Sequence, residues 1–163
     1  MKFNLTFVII IIIIIYIICY FIFPPSIQIL QTTITDFTFA TLYTRQPIVI
    51  SDYLQEKEEL INSWFKYNYI KNLNQEKNNY NDWIHNKHKY LFINANNDTE
   101  IIIYKASISS KSPTENNQII AVKLQKNQSL IIPYRWKFFI NDNNDIELWG
   151  IHDLITFFVS FVF

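Results

Sequence analysis

The chain has 163 residues, half of them hydrophobic, and its 14 basic side chains balance its 14 acidic ones. That length suits one domain of ordinary size. Zero net charge argues against the basic stripe with which nucleic-acid binders meet phosphate, so no nucleic-acid partner is expected. The single cysteine, Cys19, excludes an intrachain disulfide.

The N-terminal run Phe3–Phe23 carries no charge. A helix needs about 20 apolar residues to span a bilayer core, so residues 1–25 are expected to be a single transmembrane anchor with residues 3–23 in the lipid. Tyr16 and Tyr20 suit the interface near its far end, Cys19 is expected as a small apolar filler, and Pro24 and Pro25 stop the helix. A cleaved signal peptide is the rival, but its apolar core is shorter, about 7–15 residues, and ends in small residues. Lys2 precedes the run and the first charge after it is Asp36, which favours a cytosolic N-terminus.

Residues 26–35 read as a spacer, and residues 36–163 as one strand-rich globular domain. Phe37, Phe39 and Thr41 alternate with Thr38 and Ala40, as in a strand, and Gln46–Ile50 reads as a short buried strand. Asp52 and Gln55 have capping-box spacing before a helix over Leu54–Lys66, with Leu60, Ile61, Trp64 and Phe65 on one face. Tyr67–Lys89 is polar and Asn-rich, and reads as a second helix with loops or as an exposed excursion.

Beyond it come six short apolar runs: Tyr90–Asn94, Glu100–Lys105, Gln118–Leu124, Ser129–Pro133, Trp136–Ile140 and Ile146–Trp149. Strands this closely spaced predict a mainly β fold, an antiparallel sandwich or barrel with one or two helices. The tail Leu154–Phe163 reads as a last core strand, or else as a docking segment. Gly150 is the only glycine, so turns needing left-handed backbone are expected to use Asn or Asp.

Candidate chemistry is sparse. Asp82, His85 and His88 follow one another at intervals of three, which on a helix would align them as metal ligands. Solvated surface histidines are the blander and preferred reading, so no metal and no cofactor is expected. His152 and Asp153 are adjacent, and on a strand would face opposite ways. Ser51 and Ser129 lack a nucleophile elbow, and a phosphate loop needs more than one glycine. No catalytic residue is therefore assigned. The four Trp, ten Tyr and fourteen Phe read as core, with a stacking platform for a ligand as the alternative.

Two segments carry a resemblance. Arg45–Asp52, a strand with Pro47 ahead of an expected helix, and Lys123–Phe139, a turn, strand, Pro133 and Trp136, resemble the cupin-like domains related to the JmjC oxygenases. That resemblance implies a β-barrel scaffold. It also implies an Fe(II) site built from His-x-Asp or His-x-Glu and a distant histidine, and this chain has no such pair. Lys137 and Phe138 stand where many relatives place a histidine. The expected function is therefore a membrane-anchored, non-enzymatic structural or interaction protein, meeting the bilayer through residues 3–23 and a protein partner or a second copy through its domain. The AT-rich composition would suit a minor virion membrane component of a large DNA virus. The alternative is a cupin-class metal- or small-ligand-binding protein, or an oxygenase-like enzyme, with a non-standard site.

Overall fold

The computed structural model describes residues 5–22, 27–52, 64, 69–72, 82–105, 112–115, 117–140, 146–152 and 156. The first element is helix α1, Leu5–Ile22, an uncharged run of 18 residues. Among the described residues no helix is long and apolar enough to cross a membrane. At about 1.5 Å per residue α1 rises about 27 Å, just under a hydrocarbon core of about 30 Å. Phe3, Asn4 and Phe23, which complete the expected span, lie outside the described residues, as do Pro24 and Pro25.

Strand β1, Leu30–Thr32, falls within the segment expected as a spacer. Its backbone pairs in parallel with β2, Ile48–Ile50, so the segment is part of the sheet. Between them Phe39–Leu42 forms the short helix α2, not the strand its alternation suggested. The reason lies in Thr38 and Thr41: the Thr38 amide donates to Thr41 Oγ1 at 3.3 Å and the two hydroxyls lie 3.0 Å apart. These local bonds close a turn that a strand would leave open. Asp52 Oδ2 accepts from the Ile34 amide at 3.2 Å. The helix expected over 54–66 lies outside the described residues except for Trp64, which is helical.

Eight further strands follow. They are β3 (Tyr69–Asn72), β4 (Ile84–His85), β5 (Tyr90–Ala95), β6 (Thr99–Lys105), β7 (Ile119–Leu124), β8 (Ser129–Pro133), β9 (Trp136–Ile140) and β10 (Ile146–His152). The six apolar runs of the sequence become β5 to β10, while within the segment 67–89, expected as a helix with loops or an excursion, residues 69–72 and 84–85 are strands and 67–68 and 73–81 lie outside the described residues. The strand expected at the C-terminus lies outside the described residues, except that Thr156 is helical and buried.

The strands form a six-stranded sheet, β1-β2-β8-β5-β10-β3, and a four-stranded sheet, β4-β9-β6-β7. All pairs except β1–β2 are antiparallel. The chain passes between the sheets from β3 to β4, β4 to β5, β5 to β6, β7 to β8, β8 to β9 and β9 to β10. Side chains alternate along each strand. Leu91 and Ile93 of β5 and Leu130 and Ile132 of β8 therefore share one core with Ile101 and Ile103 of β6 and Trp136, Phe138 and Ile140 of β9. This is a sandwich, one of the two forms, sandwich or barrel, that the spacing of the runs predicted. The other face of the larger sheet, with Phe92, Ile131, Trp149 and Ile151, is covered by Phe37, Leu42 and Trp64. There the register partners Phe92 and Trp149 stack with centroids 3.8 Å apart and planes within 4°.

The scarcity of glycine shows in the backbone. Positive φ falls on Asn127 (68°), as expected, but also on Arg45 (53°) and Arg135 (70°). Gly150 is spent on a close approach. An added Cβ would lie 2.5 Å from His88 Nδ1 and nearer still to Cγ.

Candidate functional site

On the four-stranded sheet, one face builds the core and the other turns away from it. The register sets one line of residues across that outer face. His85 of β4 pairs with Lys137 of β9, Lys137 with Tyr104 of β6, and Tyr104 with Ile119 of β7. Neighbouring strands lie about 4.8 Å apart, so Lys137 has His85 on one side and Tyr104 on the other at one strand spacing each. Parallel to this row runs an apolar one. Trp83 meets Tyr104 edge-on at 4.8 Å and Phe139 at 5.7 Å, and Phe139 pairs with Ile102, which pairs with Ala121.

Burial makes the row unusual. Tyr104 is 0% exposed, yet its hydroxyl has no hydrogen-bond partner, and His85 Nε2 is likewise buried without one. Each such group costs about 1–3 kcal/mol relative to a satisfied one. Lys137 is 9% exposed. Partial loss of water lowers its pKa, and its aliphatic stem takes the greater share of the burial. Burial also holds His85 below its ordinary value, and the charges of Lys137, Arg135 and Lys87 reinforce that effect. Lys105 is lowered by burial and then by Arg135, while burial raises Tyr134 against the opposing charge of Arg135. Among the described residues, the charge of Arg135, left-handed in the β8–β9 turn, acts on His85, Lys105 and Tyr134 alike.

Asn86 fixes this turn. It is 1% exposed, and its Nδ2 donates to the carbonyls of Ile132 and Pro133, each at 2.9 Å. Its Oδ1 accepts from the His88 amide at 2.8 Å. Its own amide donates to Trp136 O at 2.9 Å, and its carbonyl accepts from the Arg135 amide at 3.2 Å. One residue, through side chain and backbone, thus ties the bend after β4 to the end of β8 and the β8–β9 turn.

The three residues singled out as metal candidates are not brought together. Asp82 is exposed in a bend, His85 lies on the outer face of β4, and His88 sits in the bend beyond Asn86 against Gly150. The helical spacing that would align them does not exist, because residues 84–85 are a strand and Asn86 turns the chain after it. His88 instead meets His152, with ring centroids 4.2 Å apart. Among the described residues no three His, Cys, Asp or Glu side chains are placed to hold a metal ion. Sequence reasoning passed over Tyr104 and Lys137, since both read as ordinary strand residues and only the register joins them to His85.

No protein-family model, curated protein or solved structure matches the chain.

Proposed function

We propose that this protein is a membrane-tethered interaction module, held by α1 and presenting the sandwich to its surroundings. The carrying observation is the surface of α1. Ile9 to Ile15 are all exposed, Ile12 at 60%, and no charged residue stands among them. Water is a poor medium for such a helix. A bilayer is a good one, each central Ile favouring insertion by about 0.3–0.6 kcal/mol. The uncharged run Phe3–Phe23 is 21 residues long, which as a continuous helix would rise about 32 Å and match the hydrocarbon core. Lys2 ahead of the run favours a cytosolic N-terminus.

The chain's repeated crossing between two sheets supports a cupin-like scaffold, and its lack of an iron-ligand pair supports a non-enzymatic role. The amino-acid composition, rich in Asn, Ile, Lys, Tyr and Phe, supports a virion membrane as the setting, which proteomics of purified particles would test. Alkaline carbonate extraction of membranes from cells making the full chain tests the tether. The protein is expected in the pellet, and protease added from outside is expected to reach the sandwich. Complete recovery in the soluble fraction refutes the tether.

A further inference from the structure

Each sheet has two edges, and an edge strand leaves a row of backbone N–H and C=O groups for another chain to pair with. Shortness blunts three of the four edges. β1 has three residues, β3 four and β4 two. β7 is six residues long, carries neither proline nor glycine, and among the described residues pairs with β6 alone. We propose that β7 is the docking edge for a second copy of this chain, the two β7 strands pairing antiparallel about a two-fold axis at Ala121.

Three observations converge on this edge. The first is exposure. Outside α1 the exposed large apolar side chains among the described residues are Tyr43 and Ile119, and Ile119, 51% exposed, stands on β7. Ala121 and Lys123 are exposed beside it, and Lys123 is the only charge on the strand. A long apolar edge with so little charge is one that sheet proteins ordinarily do not leave open. The second observation is self-complementarity. A two-fold axis makes the same edge serve both copies, and antiparallel pairing sets side chains of one face opposite each other. With Ala121 opposite itself, Ile119 stands opposite Lys123 of the second copy, and Ile120 opposite Val122. No like charges meet, the lysine stem covers the exposed isoleucine, and the smallest side chain of the strand lies on the axis. The third is continuity. Phe139, Ile102 and Ala121 follow one another in register across β9, β6 and β7, so the axis carries one apolar row through both copies. On the core side Ile103 and Ile120 run on in the same way into Val122 and Ile101 of the second copy. The four-stranded sheet doubles to eight strands, within the usual size of an open sheet.

The pairing gives the tethered module a partner and rests on that reading, because one strand pair is a small interface and α1 confines the copies to one surface. The test is disulfide crosslinking of full-length chains in their membranes, with Cys19→Ala removing the native thiol. Opposed Cα atoms of an antiparallel pair lie about 4.5–5.5 Å apart, within disulfide reach. On mild oxidation Ala121→Cys is expected to give a linked homodimer at least about fivefold faster than Gln31→Cys, an exposed position on the short edge β1. Adding Ile119→Lys sets like charges opposite each other twice per dimer and should slow the crosslink at least about fivefold, whereas Ile119→Glu, opposite in sign to Lys123, should preserve it. Both replace one exposed side chain, so both should keep the Tm of the purified protein. Ala121→Cys crosslinking no faster than Gln31→Cys overturns the proposal. So do crosslinks to a different protein alone, or an equal loss from Ile119→Lys and Ile119→Glu. Carbonate extraction of the same membranes separates the two readings. A homodimer from chains recovered in the supernatant refutes the tether and upholds the edge, while pelleted chains without a homodimer refute the edge and uphold the tether.

Discussion

Gly150→Ala adds one methyl group where there is no room for it. The new Cβ would meet His88 at Nδ1 (2.5 Å), Cδ2 (2.8 Å) and, nearest, Cγ. Carbon atoms make contact at about 3.5–4.0 Å, so the ring would have to withdraw by about 1 Å. Its root leaves little play. The His88 amide is held by Asn86 Oδ1 at 2.8 Å, the Lys89 amide donates to Ile151 O at 2.9 Å, and the imidazole packs edge-on against His152. Overpacking of this kind costs about 1–3 kcal/mol. Taking about 2 kcal/mol, and about 3 °C per kcal/mol for a chain of this size, Tm should fall by about 6 °C. A double-mutant cycle isolates the cause. In a His88→Ala background the same methyl group enters vacated space, so Gly150→Ala should cost at least about 1 kcal/mol less there. The assay is thermal or urea unfolding of the four proteins in one detergent. A Gly150→Ala protein within about 0.5 kcal/mol of wild type would refute the reasoning. So would a full penalty that persists without the imidazole.

Asn86→Ala leaves the carbonyls of Ile132 and Pro133 without their buried donor. A loss of about 2–4 kcal/mol is expected in urea unfolding, and the β8–β9 turn should exchange amide hydrogens faster. His85 is held below its ordinary value of 6.5 by burial and three cations, so in acid the unfolded chain takes up the proton first. Stability should therefore fall as the pH drops below that value, and His85→Leu should flatten the fall measured between about pH 7 and pH 5. Replacing Ile12 and Ile13 of α1 with lysine adds about 2.5–3.5 kcal/mol of insertion cost per residue and should move the protein from the carbonate pellet to the supernatant.

The sandwich was legible because its strands announce themselves. Ser129–Pro133 and Trp136–Ile140 begin and end where the apolar runs do. The Asn- and Asp-rich breaks between runs mark turns in a chain that cannot use glycine for them. Elsewhere local and global signals diverged. Phe37, Phe39 and Thr41 alternate as a strand does, but two threonine hydroxyls closed the turn into α2. Strands β3 and β4 have four and two residues, too few to show any period, so their segment read only as a second helix with loops or as an exposed excursion. The row His85, Lys137 and Tyr104 was hidden for another reason. Lys137 stands between Trp136 and Phe138 and reads as a solvent-facing strand residue. Its neighbours, His85 and Tyr104, are 52 and 33 positions away in sequence. Register is a tertiary property, and a slip of one residue in β9 would send Lys137 into the core.

The nearness of β1 to α1 sets a leash. Seven residues, 23–29, separate Ile22 from Leu30. Fully extended at about 3.6 Å per residue, the eight steps from one to the other reach no more than roughly 29 Å. That is about the width of a small domain. The sandwich is joined to this leash by an edge strand, so wherever α1 is fixed the domain sweeps a shallow dome instead of a deep volume. Anything it meets must come within that height, and two copies tethered side by side would meet each other at a far higher local concentration than the same domains released into bulk.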